Sequence, residues 1–335
     1  MGDPAGIGPE VAVKAFSDTA IYESCRPLIV GDAGAIADAV RFCGLDLEVR
    51  AIKSVARAAF LPGQIDVYDL ANVDIEKLQK GEMSAMAGDV AFKTVVETIR
   101  LAMEGEIDGT VTGPINKESL HMAGHLFSGH TEIYAHYTGT KKYAMLLVED
   151  DLRVIHVSTH VSLREACDLV KKERILETIE LIHQACVQLG IAVPRIAVAG
   201  LNPHAGDGGL FGWEEKTEII PAIEEAVSRG YCVTGPVPAD TLFPKAKGGS
   251  FDGCVAMYHD QGHIPFKMVG FTWDSETGKM KSVKGVNVTL GLPIIRTSVD
   301  HGTAMEIAGK GIASADAMLL AIGYAVRLFH NRMPE

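Results

Sequence analysis

Several things are missing from this sequence, and each absence narrows what the chain can be. There is no uninterrupted apolar stretch of the about 18 residues a bilayer-spanning helix needs, although apolar residues make up 47% of the 335 positions. There is no CxxC pair. The six cysteines (Cys25, Cys43, Cys167, Cys186, Cys232, Cys254) are scattered, which argues against a thiolate zinc site and suits a reducing cytoplasm. Basic excess is lacking too: the formal charge is −12, which disfavours a nucleic-acid surface but leaves room for a local anion site. No basic segment followed by an apolar one opens the chain as a leader would. Internal repeats and low-complexity stretches are absent. So is G-x-G-x-x-G: "GDAGAIADA" (31–39) follows a strand-like segment and opens a helix-like one, but its glycine spacing does not make a Rossmann site. The expectation is a cytoplasmic chain of two domains with no membrane and no nucleic-acid partner.

What is present is alternation. "PLIVGD", "GTVTG", "LRVIHVST" and "RIAVAGL" read as strands. "AGAIADAVRFCG", "AGDVAFKTVVETIRLAMEG", "RILETIELIHQACVQLG", "EEKTEIIPAIEEAVSRG" and "ADAMLLAIGYAVRLFHN" read as helices. This pattern predicts an α/β fold with a largely parallel sheet. "MGDPAGIGPE" reads as a loop entering a helix, with Pro9 at the first helical position and Glu10 in the first turn. A strand normally feeds such a loop and none precedes it, so a truncated or misassigned start is expected. "FTWDSETGKMKSVKG" (271–285) is polar and charged and reads as an excursion or flap.

The polar residues cluster after strands. His160 follows "LRVIHVST", His204 follows "RIAVAGLNP" and His259 follows "GCVAMY". Ligands gather beyond the carboxyl ends of parallel strands, so these imidazoles are expected to make a catalytic metal site with an open position. Taken singly, each is an ordinary loop histidine. His156 reads as structural, and His263 as either a supporting or a loop residue. Lys267, Arg296 and Lys117 also follow strands or strand-end loops. A buried cation is costly unless paired, and a phosphate or carboxylate ligand would rationalise them. "SGHTE" (128–132) adds His130 and Thr131 as hydrogen-bond donors to an anion, with a helix cap as the alternative for Thr131. "HAGDGGLFG" (204–212) either brings backbone close to a ligand or simply turns the chain.

"GDPAGIGPE", "TGPINK", "SGHTE", "GLNPHAG", "PADTLF", "YHDQGHIPFK" and "GVNVTLGLPIIRTSVDHGTAMEIAGKG" occur in this order from residue 2 to about 311. Together they closely resemble the 4-hydroxythreonine-4-phosphate dehydrogenase family. "GIGPE" and "HGTAMEIAGKG" also resemble the wider isocitrate and isopropylmalate dehydrogenase superfamily, whose adenosine loop binds a nicotinamide dinucleotide without Rossmann glycines. The resemblance implies two α/β domains with the site in the cleft between them, in a homodimer that completes each site. Residues 1–125 with 297–335 would form the first domain. Residues 126–296 would form the second, carrying the metal and substrate residues. His160, His204 and His259 match metal ligands for zinc, magnesium, cobalt or manganese. His130, Thr131, Lys267, Asn287 and Arg296 match substrate positions. Lys267 and Asp260 would be catalytic, Asp260 by orienting a ligand or relaying a proton. Asp300, His301, Gly302, Thr303 and Ala304 lie in the stretch resembling the cofactor loop, for NAD or NADP.

"AGHLFSGHTE" and "YHDQGHIPFK", with His125 and His263, look like the branch acting on 4-phospho-D-threonate or 4-phospho-D-erythronate. The vitamin B6 branch is the alternative. The implied reaction is oxidation at C3 followed by decarboxylation to dihydroxyacetone phosphate. Two rivals come from other classes. A metal-dependent aldolase would not need an adenosine loop, and a sugar-phosphate sensor would need a partner module that the sequence does not show.

Overall fold

A computed structural model of the chain describes residues 1–275, 279–283 and 285–331. The chain divides into two compact units, Met1–Lys141 with Leu292–His330, and Lys142–Gly291 with Asn331–Glu335.

In the first unit, strand Ile29–Gly31 passes through helix Ala33–Phe42 to strand Glu48–Ile52, and strand Gln64–Asp69 inserts in parallel between them. Asp32 starts that helix: one carboxylate oxygen accepts the Ala35 N–H at 2.9 Å and the other the Val73 N–H at 3.0 Å. Val13, Phe16, Ile36, Ile65 and Val67 close the core around it. Strand Gly109–Thr112 pairs in parallel with Ile295–Val299, so the chain returns to this unit near its end. The final helix, Asp316–His330, buries Ala317, Met318, Ala321 and Leu328.

The observed boundaries correct the expected ones near residues 126 and 297. Helix His130–Thr138 packs on helix Ala85–Met103, and Ile133 and Tyr134 join Val95, Ile99, Leu120 and Ile294 in one buried cluster. Burial of that apolar face ties 126–141 and 292–296 to the first unit. His130, Thr131 and Arg296 therefore belong to the first unit rather than the second.

In the second unit six strands of one sheet follow in the order Val286–Leu290, Ala144–Glu149, Leu152–His156, Gly253–Ala256, Ile196–Ala199, Val233–Val237. The last four run parallel, and the first three pair antiparallel. The alternation in the sequence did not disclose the hairpin Ala144–Glu149/Leu152–His156. Its signal is the acidic pair at the turn, where Asp150 takes φ 49°, a conformation Asp tolerates better than most residues. Of the polar excursion, Phe271–Asp274 and Lys279–Val283 pair as antiparallel strands, while 276–278 and 284 lie outside the described residues. No helix among the described residues is long and apolar enough to cross a membrane.

Helix Ala85–Met103 lies so close to helix Lys117–Met122 that a Cβ at Gly88 would stand 1.9 Å from the carbonyl oxygen of Ser119. Backbone cannot yield as a side chain does. Gly88→Ala is expected to destabilise the protein by about 3 kcal/mol and to lower Tm by roughly 6–12 °C. An unchanged melting curve would contradict this close approach.

Candidate active site

Strand order sets the geometry of the second unit. Strand Gly253–Ala256 lies between Leu152–His156 and Ile196–Ala199, all parallel, so three carboxyl ends emerge side by side with strands about 4.8 Å apart. His160, His204 and His259 leave from those ends. His259 opens helix His259–Gly270. Its Nδ1 lies 2.7 Å from Asp260 Oδ1. A carboxylate only accepts, so Nδ1 carries the proton and Nε2 keeps a free lone pair. That carboxylate–imidazole pairing is typical behind a metal ligand.

One turn further on, His263 stacks on His259, with centroids 3.7 Å apart and planes at 12°. Its Nδ1–H donates to the His259 carbonyl at 3.1 Å. Burial, helped by the neighbouring His259, pushes the His263 imidazole down to about 4. His156 lies beneath, 4.6 Å from the His263 ring. Burial first, then the adjacent imidazoles, holds it well below the ordinary histidine range. Gly262 makes this layering possible, because a Cβ there would stand 2.3 Å from His156 Nε2.

His160 stands 5.9 Å from His259, ring to ring, while the ring beside His204 is Phe211, at 6.3 Å. Among the described residues, no three His, Cys, Asp or Glu side chains of the chain form a group able to hold an ion. One chain thus brings His160 and His259 together and does not add His204 to them. The reason is local. His204, Ala205, Gly206, Asp207 and Gly208 all take left-handed φ, from 42° to 79°, and each side-chain-bearing residue there costs about 1–2 kcal/mol. Glu215, buried on a π-helical turn, faces the inside of this loop.

Lys267 follows His259 at i+8, exposed, its ammonium 5.4 Å from the Phe271 ring centre. Asn287 sits on strand Val286–Leu290, with its Oδ1 sealed from solvent and without a hydrogen-bond partner among the described residues.

The first unit holds the other substrate candidates. Arg296, on strand Ile295–Val299, is buried; it donates to Thr112 Oγ1 at 2.8 Å and lies 5.6 Å over the Tyr134 ring. Burial lowers its guanidinium to about 10, so it stays cationic at neutral pH. The Tyr134 hydroxyl donates to Thr110 Oγ1 at 3.0 Å, and Thr110 donates to the Ile295 carbonyl at 3.1 Å. His130 begins its helix with a sealed Nε2 that has no hydrogen-bond partner among the described residues. Burial, then the Arg296 charge, holds His130 far below its ordinary value. A neutral imidazole and a charged guanidinium suit an oxyanion. Thr131 is inside the helix rather than at its cap, which Gly129 occupies.

In the expected cofactor stretch, Thr303 is buried and its carbonyl accepts the Ile7 N–H at 3.0 Å. Ala304 takes φ 42°, and the His301 Nδ1–H donates to the Gly302 carbonyl at 3.0 Å. A Cβ at Gly302 would meet nothing within 4 Å, leaving an open face that a dinucleotide can approach. Asp300 closes the strand before it.

Three groups that the sequence did not single out for a role support these loops. Glu10 accepts the Ala313 N–H at 2.6 Å and pairs with Lys14 at 2.9 Å, and Lys14 donates to the carbonyls of Gly311 and Ala313. Their i,i+4 spacing was the available signal. Gln261 accepts the Met257 N–H and donates to the Gly200 carbonyl, both at 2.7 Å. Glu215 is the third, and nothing local marks it.

Residues 23–325 match the family described as Pyridoxal phosphate biosynthetic protein PdxA. The chain is 48% identical to a D-threonate 4-phosphate dehydrogenase of Cupriavidus necator, over 99% of this chain and 96% of that one. Among solved structures it is similar to a 4-hydroxythreonine-4-phosphate dehydrogenase from Burkholderia phymatum, at 45% identity and TM-score 0.82, covering 98% of this chain and 96% of that one. A Klebsiella pneumoniae protein of the same name gives 42% identity and TM-score 0.84, covering 98% of each chain. With the α/β fold, the strand-end histidines and the buried arginine already in place, this likeness over nearly the whole length shows that the chain belongs to the PdxA family.

Proposed function

We propose that the protein is an NAD-linked dehydrogenase that oxidises C3 of a four-carbon hydroxy acid phosphorylated at C4. 4-Phospho-D-threonate is the favoured substrate, with 4-phospho-D-erythronate beside it. The 3-keto acid loses CO2 to give dihydroxyacetone phosphate. The observation that carries this reading is the 48% identity to a D-threonate 4-phosphate dehydrogenase over 99% of the chain. The B6-type substrate, 4-phosphohydroxy-L-threonine, is the second reading, favoured by the names of the similar solved structures.

Arg296 and His130 bind the anionic part of the substrate, the guanidinium as a fixed charge and the imidazole as a neutral hydrogen-bonding group. Thr131 and Asn287 add hydrogen bonds, and the Lys267 ammonium adds a second cation. Asp300 to Ala304 bind the cofactor, in a loop tied down by the Ile7 N–H to Thr303 carbonyl hydrogen bond, while Glu10 and Lys14 brace Gly311 and Ala313 further along the chain. His160, His204 and His259 would hold a divalent metal in a homodimer that completes each site: one chain brings His160 and His259 together and leaves His204 apart, so His204 would be supplied across the subunit boundary. The donor chemistry fits: the Nδ1–H of His259 is taken up by Asp260, and its Nε2 is left for an ion. When bound, the metal would act as a Lewis acid on the C3 hydroxyl and the neighbouring oxygen.

NADH-linked turnover of the three candidate acids side by side tests the substrate. The expected order has the two phosphorylated sugar acids ahead, because a site built for a C2 hydroxyl leaves an ammonium unpaired. A tenfold preference for the amino acid, about 1.4 kcal/mol, would move the protein to the B6 reading.

Arg296→Lys removes the planar fork while keeping the charge. It is expected to lower kcat/KM about 10–100-fold, the worth of about 1.5–3 kcal/mol for a charge-assisted hydrogen bond, mainly through KM. An unchanged KM would take Arg296 out of substrate binding.

Two inactive variants, His204→Ala and His259→Ala, test the shared site when mixed under conditions that exchange subunits. Random exchange makes half the dimers mixed, each with one intact site, so about a quarter of wild-type activity is expected to return. A mixture that stays inactive despite demonstrated exchange rejects sharing.

A further inference from the structure

We propose that Glu215 is a positioning residue that clamps the left-handed turn 204–208 and so sets where His204 is presented; this rests on the reading of His204 as a metal ligand. Five consecutive residues in the left-handed region form an improbable loop, and three of them, His204, Ala205 and Asp207, carry side chains. Such a conformation persists only where its surroundings enforce it. Glu215 is the enforcing group. One carboxylate oxygen accepts the backbone N–H of Asn202 at 2.7 Å, and the other accepts the Asn202 side-chain amide at 2.9 Å. The loop also closes down on the carboxylate. A Cβ at Gly206 would stand 2.7 Å from Glu215 Oε2, and one at Gly200 would stand 2.7 Å from Ala205 Cα and 3.3 Å from Glu215 Oε1.

Glu215 therefore fixes the residue two before His204 and passes under the residue two after it. Glu214 assists by accepting from the same Asn202 amide at 2.8 Å and from the Trp213 N–H at 3.0 Å. The carboxylate stands on a π-helical turn, Glu215–Ile219, ahead of helix Ile220–Ser228. Such turns recur at functional positions. Glu215 acts through the loop backbone and the Asn202 amide.

Glu215→Gln keeps the size but sets an amide NH2 against one of the two Asn202 donors. Cobalt(II) affinity, by titration calorimetry on the full-length protein, and amide hydrogen exchange across 202–212 are the two readouts. About a tenfold loss of affinity, together with faster exchange in that segment, is expected, with partial recovery of both in Glu215→Asp. Either change without the other overturns the proposal, as does no change in both. His204→Ala run alongside separates the two ideas. If it leaves cobalt binding intact, the ligand reading fails by itself. If it weakens binding while Glu215→Gln matches wild type in both readouts, only the clamp fails. Should Glu215→Gln fail to fold, Asn202→Ala removes the side-chain donor alone and is judged by the same paired readouts.

Discussion

Parallel strands lose their ladder partners where their loops diverge, yet the polar backbone groups at those ends are still buried and must be paired. This constraint governs the second unit. At the end of strand Gly253–Ala256 the carbonyl of Ala256 accepts the Val157 N–H, and the carbonyl of Met257 accepts the Ser158 hydroxyl at 3.1 Å. Gln261 then takes the Met257 N–H and reaches across to the Gly200 carbonyl. One amide side chain thereby ties the helix that begins with His259 to the loop that leads to His204. These bonds fix where the imidazoles are aimed, since His259 stands in the first turn of its helix and His204 in a loop that regular hydrogen bonding does not hold.

Burial is handled differently in the two units. Around His259 the buried groups are imidazoles, and desolvation keeps His156 and His263 neutral. The neutral His263 ring stacks on His259 without setting a second charge beside it. Around Arg296 the buried group keeps its charge, held by Thr112 and the face of Tyr134. Burial, and after it the Arg296 charge, holds the neighbouring His130 well below the ordinary histidine range. One neighbourhood is neutral and the other cationic, and the difference comes from which titratable group was buried and with whom.

Glycine marks the places where backbone rather than side chain sets the spacing. Gly88 lets two helices touch, Gly262 lets a helix lie on His156, and Gly206 lets the loop close over Glu215. At each, a Cβ would enter space already filled. The glycine-dense stretch 204–212 is thus more than a turn: at Gly206 it closes on the buried Glu215 carboxylate.

Much of this protein was legible in the sequence. The alternation of strand and helix patterns determined the α/β class, because buried strands and amphipathic helices leave distinct periodicities. Motifs in family order determined the family, and each of the three histidines after a strand could be placed at a strand end. The tertiary structure decided what depends on residues far apart in the chain. Tyr134 and Ile133 find their core partners across the sequence, so the unit boundary moved and carried His130 and Arg296 with it. Asn202 meets Glu215 and Met257 meets Gln261 only because loops fold back, and no local pattern records which carboxylate or amide will stand beneath a loop. Periodicity is a property of neighbours along the chain, whereas neutral imidazoles, a buried guanidinium and a clamped left-handed turn are properties of neighbours in space.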